Sequence, residues 1–221
     1  SGFSETRLEN FIVFNSKLYF SGVDSLHGHE LWSYSNATGD VKIVADIVSG
    51  SQGSFPSKMK LFNNKLYFWS GVYDEYYDSV FYSLYALNGN EELITITGES
   101  KNFTFNEAIS VPHDKDLYFG SEGQLWKFNT ETDDNRLVDK IIEANQGNGA
   151  EHLTLHDDKL YFTVNTTYNS SPKESLWIYD KFESSVIEQP LVSHYSVEKL
   201  HSFNKNKLFF ILNFDLTIVI L

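Results

Sequence analysis

At 221 residues the chain can hold one large all-β domain or two small ones, and with 41% hydrophobic residues it can bury a substantial core. Its net charge of −13, with no offsetting basic stripe, argues against phosphate backbones and anionic lipid surfaces, so neither nucleic acid nor a membrane surface is an expected partner. No cysteine is present, which removes disulfides, thiol nucleophiles and cysteine-ligated zinc, and no apolar stretch reaches the ~18 residues of a membrane span.

The predicted strands begin at residues 10–14 and 17–21, continue at 30–34, and close a first set at 41–44. The set then recurs. Phe14-Asn15-Ser16-Lys17-Leu18-Tyr19-Phe20 returns as Phe62-Asn63-Asn64-Lys65-Leu66-Tyr67-Phe68, and again around Leu117, Leu160 and Leu208. The aligned leucines step by 48, 51, 43 and 48 residues. Trp32 in the third run recurs as Tyr85, Trp126 and Trp177, each preceded by a leucine. The fourth run recurs at 92–97, 136–141 and 185–188. Between third and fourth runs sit Ser35-Asn36, Asn88-Gly89, Asn129-Thr130 and Asp180-Lys181, of which Asn-Gly is the strongest signal for a tight hairpin. Residues 138–144 alone could make a helical turn.

A period near this length marks a blade-by-blade or solenoid architecture. The inner runs carry bulky apolar groups at consecutive positions rather than alternating, which suits sheets sandwiched between neighbouring sheets. The expected fold is therefore an all-β β-propeller of four-stranded antiparallel blades in one domain, 1–221, with repeat units near 7–52, 53–101, 102–147, 148–195 and 196–221. Trp32, Tyr85, Trp126 and Trp177 then read as blade-to-blade packing groups before they read as sugar platforms.

One stretch carries a family resemblance. His27-Gly28-His29-Glu30-Leu31-Trp32-Ser33-Tyr34-Ser35-Asn36-Ala37-Thr38-Gly39 resembles the repeat named for Glu-Leu-Trp-x-x-Asp-Gly-Thr, a hyalin-repeat-like β-propeller family. Val44-Ala45-Asp46-Ile47-Val48-Ser49-Gly50-Ser51 looks like its usual continuation. Later units depart from the pattern, with Ser83, Gln124 and Ser175 at the Glu30 position. The resemblance implies propeller-like repeats of large secreted or surface-attached proteins. It implies no defined activity, cofactor or catalytic residue.

The count of runs gives four full blades and a partial fifth. Neither terminus supplies a spare outer strand to complete the fifth, so two readings stand. Either further blades of a longer chain follow, or five blades close with one short sheet, its edge at residues 217–221 open.

Three groups are candidate sites. The second–third strand loop of unit two holds Tyr73, Asp74, Glu75, Tyr76, Tyr77 and Asp78, where aromatic faces can stack on sugar rings and carboxylates can accept sugar hydroxyls; the plainer reading is a solvated loop. His27-x-His29-Glu30 could place two imidazoles on one strand face as a metal pair, with His152 and His156 as further candidates, although no third ligand is identifiable and loop histidines are the simpler reading. Asn36, Asn102, Asn165 and Asn169 head N-x-Ser/Thr sequons, about as many as chance supplies, with Asn36 the most accessible. No phosphate loop, nucleophile elbow or His-Glu-x-x-His occurs. The leading expectation is a non-enzymatic extracellular or cell-surface propeller for adhesion, assembly or scaffolding, with a protein or glycan partner. A carbohydrate-binding module and a fragment of a glycan-active enzyme are the alternatives.

Overall fold

The computed structural model describes residues 9–76, 79–96, 110–121, 124–139, 147–168, 171–181, 185–189, 197–204 and 207–212. All elements among them are strands. The chain divides into two units, Ser1–Lys101 and Asn102–Leu221, and the division falls between the second and third repeats.

In the first unit β1 (Glu9–Phe14), β2 (Lys17–Asp24), β3 (Gly28–Ser35) and β4 (Val41–Ala45) form one antiparallel meander, and β5 (Ser57–Phe62), β6 (Lys65–Asp74), β7 (Ser79–Leu87) and β8 (Leu93–Thr95) form a second. In the second unit β9 (Ser110–His113), β10 (Asp116–Ser121), β11 (Gln124–Asn129) and β12 (Asp134–Asp139) make a third, and β13 (Gly147–His156), β14 (Lys159–Tyr168), β15 (Ser171–Asp180) and β16 (Ser185–Gln189) a fourth. A fifth sheet pairs β17 (Val197–Asn204) with β18 (Lys207–Leu212). The edge at 217–221, expected to be open, and the N-terminal residues 1–6 that would have to pair with it to close the ring lie outside the described residues. Val138 belongs to β12, so the helical turn expected at 138–144 does not begin there; residues 140–144 lie outside the described part.

The tight turns sit elsewhere than expected. Asn15 and Ser16, Asn63 and Asn64, and Asp157 and Asp158 all have positive φ, so the first–second strand connections are two-residue hairpins of the mirror-image kind. Asn88-Gly89 is instead part of a wide loop, because Leu87 pairs with Leu93 and five residues intervene. The Asn88 side chain builds that loop by accepting the backbone N–H groups of Asn90 and Glu92 at 2.9 and 3.0 Å. Asn129 does the same for Glu131 and Thr132.

The first strands are bulged at one repeat position. Asn10, Lys58 and His152 have φ of 59°, 52° and 52°, and each lies in a register shift of its strand against the next. These residues keep the spacing of the aligned leucines, so the bulge is part of the repeat.

Sheet-on-sheet packing explains the Leu-aromatic dipeptide. Phe14, Tyr19 and Leu31 of the first sheet gather with Leu66, Phe68 and Leu87 of the second, and Tyr85 packs against the group. Tyr118 and Leu125 of the third sheet likewise gather with Leu160, Phe162, Val164 and Tyr179 of the fourth, with Trp177 against them. In these two pairs the leucine, Leu31 or Leu125, faces the later sheet and the aromatic, Tyr85 or Trp177, faces the earlier one. Successive side chains of a strand point to opposite faces, so the two residues of a dipeptide lie on opposite sides of their sheet. Leu31, Leu84 and Leu125 are fully buried, whereas Trp126 is half-buried.

A second contact repeats at the turn end of the seams. Asn15 Nδ2 donates to the Gly89 carbonyl in the first unit, and Lys181 pairs with Asp114 in the second. Asp114 and Lys181 occupy the repeat positions of Asn15 and Gly89. The same turn of the later sheet therefore latches onto the same hairpin of the earlier one.

Candidate functional site

In the first unit, topology puts the β2–β3 hairpin, the β4–β5 crossing and the β6–β7 hairpin at one end of the two sheets. The crossing is fixed there by an isolated parallel bridge between His29 and Gly53. The His29 carbonyl accepts from Ser54 N at 2.7 Å and Phe55 N at 3.1 Å, and the Ser54 carbonyl accepts from Gly71 N and Ser70 Oγ. Gly53 is required by this approach: its φ is +76°, and a Cβ there would lie 2.1 Å from His29 N.

Glu30 holds the crossing from below. Its carboxylate is fully buried, with Oε1 accepting Val48 N at 2.9 Å and Oε2 accepting Ser54 Oγ at 2.5 Å. Burial pushes its pKa up, against the pull of these hydrogen bonds. Glu30 is therefore a structural tie. His27 Nδ1 lies 2.9 Å from Asp24 Oδ2, which raises the His27 pKa, while the hydrogen bonds from His27, backbone first, lower that of Asp24. His29 stacks on Phe55 with centroids 4.9 Å apart. His152 Nδ1 meets Thr163 Oγ1 at 3.0 Å and His156 Nδ1 meets Ser202 Oγ at 2.9 Å. Each imidazole has its own partner, and among the described residues no three His, Asp or Glu side chains gather to hold an ion.

This end exposes four large apolar or aromatic side chains among polar residues such as Ser49, Ser51 and Gln52. Leu26 is 72% exposed, Phe55 48%, Tyr73 44% and Tyr76 86%. Phe55 has φ +52° immediately before Pro56, a backbone state that β-carbon sterics disfavour, so its exposed ring is held by the crossing and not by local preference. Asp74 Oδ1 accepts Tyr76 N at 2.8 Å and shapes the tip of the β6–β7 hairpin. Asp46 and Glu75 are exposed on the same end. Tyr73, Asp74, Glu75 and Tyr76 thus share one projecting tip, while Tyr77 and Asp78 lie outside the described residues. Sequence reasoning missed Leu26 and Phe55, because nothing in their neighbours marks them as exposed. The opposite end carries the polar turns at 15–16, 36–40, 63–64 and 88–92.

Of the sequons, Asn36 is exposed in the β3–β4 turn. Asn165 pairs with Glu174 within the fourth sheet. Asn102 and Asn169 lie outside the described residues.

No family model matches this chain, and no curated protein matches it by sequence. Solved structures do match by shape. Dipeptidyl peptidase 4 of Porphyromonas gingivalis superposes with a TM-score of 0.58 at 10% identity, over 94% of this chain and 37% of that one. The extracellular domain of a putative hybrid two-component system from B. thetaiotaomicron gives 0.55 at 14% identity, over 92% and 25%. The β-propeller domain of the trilobed protease from Pyrococcus furiosus, which has an open velcro topology, gives 0.53 at 9% identity, over 99% and 72%. The chain therefore spans about a quarter to two fifths of the length of the first two. These likenesses show a β-propeller-like all-β fold; at such identities they carry no activity with them.

Proposed function

We propose that the chain is a non-enzymatic extracellular or cell-surface propeller, four full blades and a partial fifth, that recognises a protein or glycan partner through the aromatic end of its first two sheets. The observation that carries this is where the exposed aromatics lie. Phe55, Tyr73 and Tyr76, with Leu26, are exposed at one end, with Asp46 and Glu75 exposed there too, whereas the large side chains exposed beside the turns of the other end, Val13, Val41, Leu61 and Leu93, are aliphatic. Solvent-exposed aromatic groups grouped on one surface are typical of recognition patches.

Two carboxylates of this region have structural partners, Glu30 in the crossing loop and Asp24 in His27. The assignment to Glu-Leu-Trp-x-x-Asp-Gly-Thr repeats belongs to the same proposal. Its support is a division of labour within the motif. Glu30 ties the crossing, Leu31 fills the seam, and Trp32 packs on the other face. Shape-similar extracellular domains support the surface location.

The test is a glycan array and a cell-surface protein capture with the wild type and with Tyr73→Ala/Tyr76→Ala, beside a glycoside hydrolase panel. Binding that the double variant loses without a change in melting temperature supports the reading. Turnover of any glycan, or the absence of any protein or glycan whose binding the double variant loses, overturns it.

A further inference from the structure

At the polar end of the first sheet lies a cavity of about 210 Å³ lined by Lys17, Ser33, Ser35, Thr38, Asp40 and Lys42. Register explains its composition. Lys17 pairs with Ser35, Ser33 pairs with Tyr19 on one side and with Lys42 on the other, so these side chains share the face of the sheet that carries the seam residue Tyr19. The Ser35–Asp40 turn closes one wall, pinned by Ser35 N to the Asp40 carbonyl and Gly39 N to the Ser35 carbonyl.

Ser33 is the telling residue. It is 1% exposed, and its Oγ has no hydrogen-bond partner in the protein. A buried hydroxyl left unmatched costs stability, so its retention beside two ammonium groups points to a ligand. Lys17 Nζ and Lys42 Nζ reach Glu91 Oε2 at 2.8 and 3.3 Å, yet each ammonium has three donors. The remaining donors are available to an acceptor in the cavity.

From this geometry we infer a binding site for a small hydroxylated carboxylate of single-sugar size, such as a uronate end group. The size follows from the volume, which is below the ~300–1,000 Å³ of pockets for drug-sized ligands. A carboxylate suits Lys42, whose side chain is 57% exposed at the mouth. Hydroxyls suit Asp40 as acceptor and Ser33, Ser35 and Thr38 as either donor or acceptor. A phosphate or sulfate dianion is disfavoured, because the carboxylates of Asp40 and Glu91 stand close by. Glu91 and Asp40 balance the two lysines, so the site carries no net charge of its own within a chain of net charge −13.

Calorimetric titration of the 221-residue chain with sodium glucuronate, glucose and sodium acetate tests this. Glucuronate is expected to bind saturably and to weaken with added salt; glucose and acetate, each carrying half of the chemistry, are expected to bind at least about tenfold more weakly. Lys42→Ala should weaken glucuronate about tenfold. Ser33→Ala should also weaken it while leaving the melting temperature unchanged or higher, since that hydroxyl has no protein partner to lose; a purely structural serine would show the reverse. Tyr76→Ala, at the other end, should leave glucuronate binding intact, which separates this site from the recognition face. No saturable heat at millimolar glucuronate, equal affinity for glucose, or unchanged affinity in Ser33→Ala would each overturn the assignment.

Discussion

Glu91 offers the sharpest test of the seam between the first two sheets. It sits in the β7–β8 turn of one sheet, and its carboxylate receives Lys17 and Lys42 of the other, with Tyr19 O–H donating to Oε1 at 2.8 Å. These contacts, the Lys17 hydrogen bond first, lower its pKa from 4.5 to about 2. A displacement of that size corresponds by linkage to about 3 kcal/mol. The Glu91 side chain is 25% exposed and the lysines partly solvated, so screening reduces this to about 1–2 kcal/mol. Its folded pKa lies below the unfolded one. The stabilisation is therefore complete above pH 4.5 and is lost as pH falls towards 2. Glu91→Gln keeps the side-chain size and the turn, whose φ at this residue is +62°, but removes the charge. Urea melts followed by tyrosine and tryptophan fluorescence should show the variant less stable by about 1–2 kcal/mol at neutral pH, with the gap closing between pH 4.5 and 2. High salt should narrow the neutral gap. A gap independent of pH would mean that the charge is not what joins the two sheets, and the reasoning would fail.

Four further outcomes follow from the packing and the burial of Glu30. Glu30→Ala leaves Val48 N and Ser54 Oγ without their acceptor in a closed site and should cost about 2–4 kcal/mol in a denaturant melt. Glu30→Gln should remove a pH dependence of opposite sign to that of Glu91: the raised pKa favours the fold at acid pH, and the advantage fades as pH rises from 4.5 through the folded value. Gly53→Ala should cost more than about 3 kcal/mol or prevent folding, because its Cβ would meet His29 backbone atoms at 2.1 and 2.6 Å; thermal melting reads this directly. Leu125→Ala should cost about 2–5 kcal/mol, and Trp126→Ala less, since Leu125 is fully buried in the seam and Trp126 half-buried; equal costs would contradict the division of faces.

The strand order of each meander was readable from the chain because hairpins are local. The run around Lys17-Leu18-Tyr19-Phe20, repeated at near-constant spacing, names the second strand of every sheet, and the neighbours follow at hairpin distance. Consecutive bulky residues also pointed to sheet-on-sheet packing, and the clusters around Leu31 and Leu125 each show one such seam. Turn geometry was less legible. Asn88-Gly89 has the composition of a tight hairpin, but the register of Leu87 with Leu93 spreads it into five residues, and register depends on the whole strand pair. The roles of Glu30 and Phe55 could only come from tertiary structure. Glu30 meets Ser54 across 24 residues of chain, and Phe55 is exposed because the His29–Gly53 bridge places it so. The same holds for the cavity at Ser33, where lysines from two strands and a carboxylate from another sheet converge. Periodicity reports which face of a strand is apolar, since that depends only on neighbours in sequence. It says nothing about which distant polar groups share a space, because that is decided by how one sheet is laid against the next.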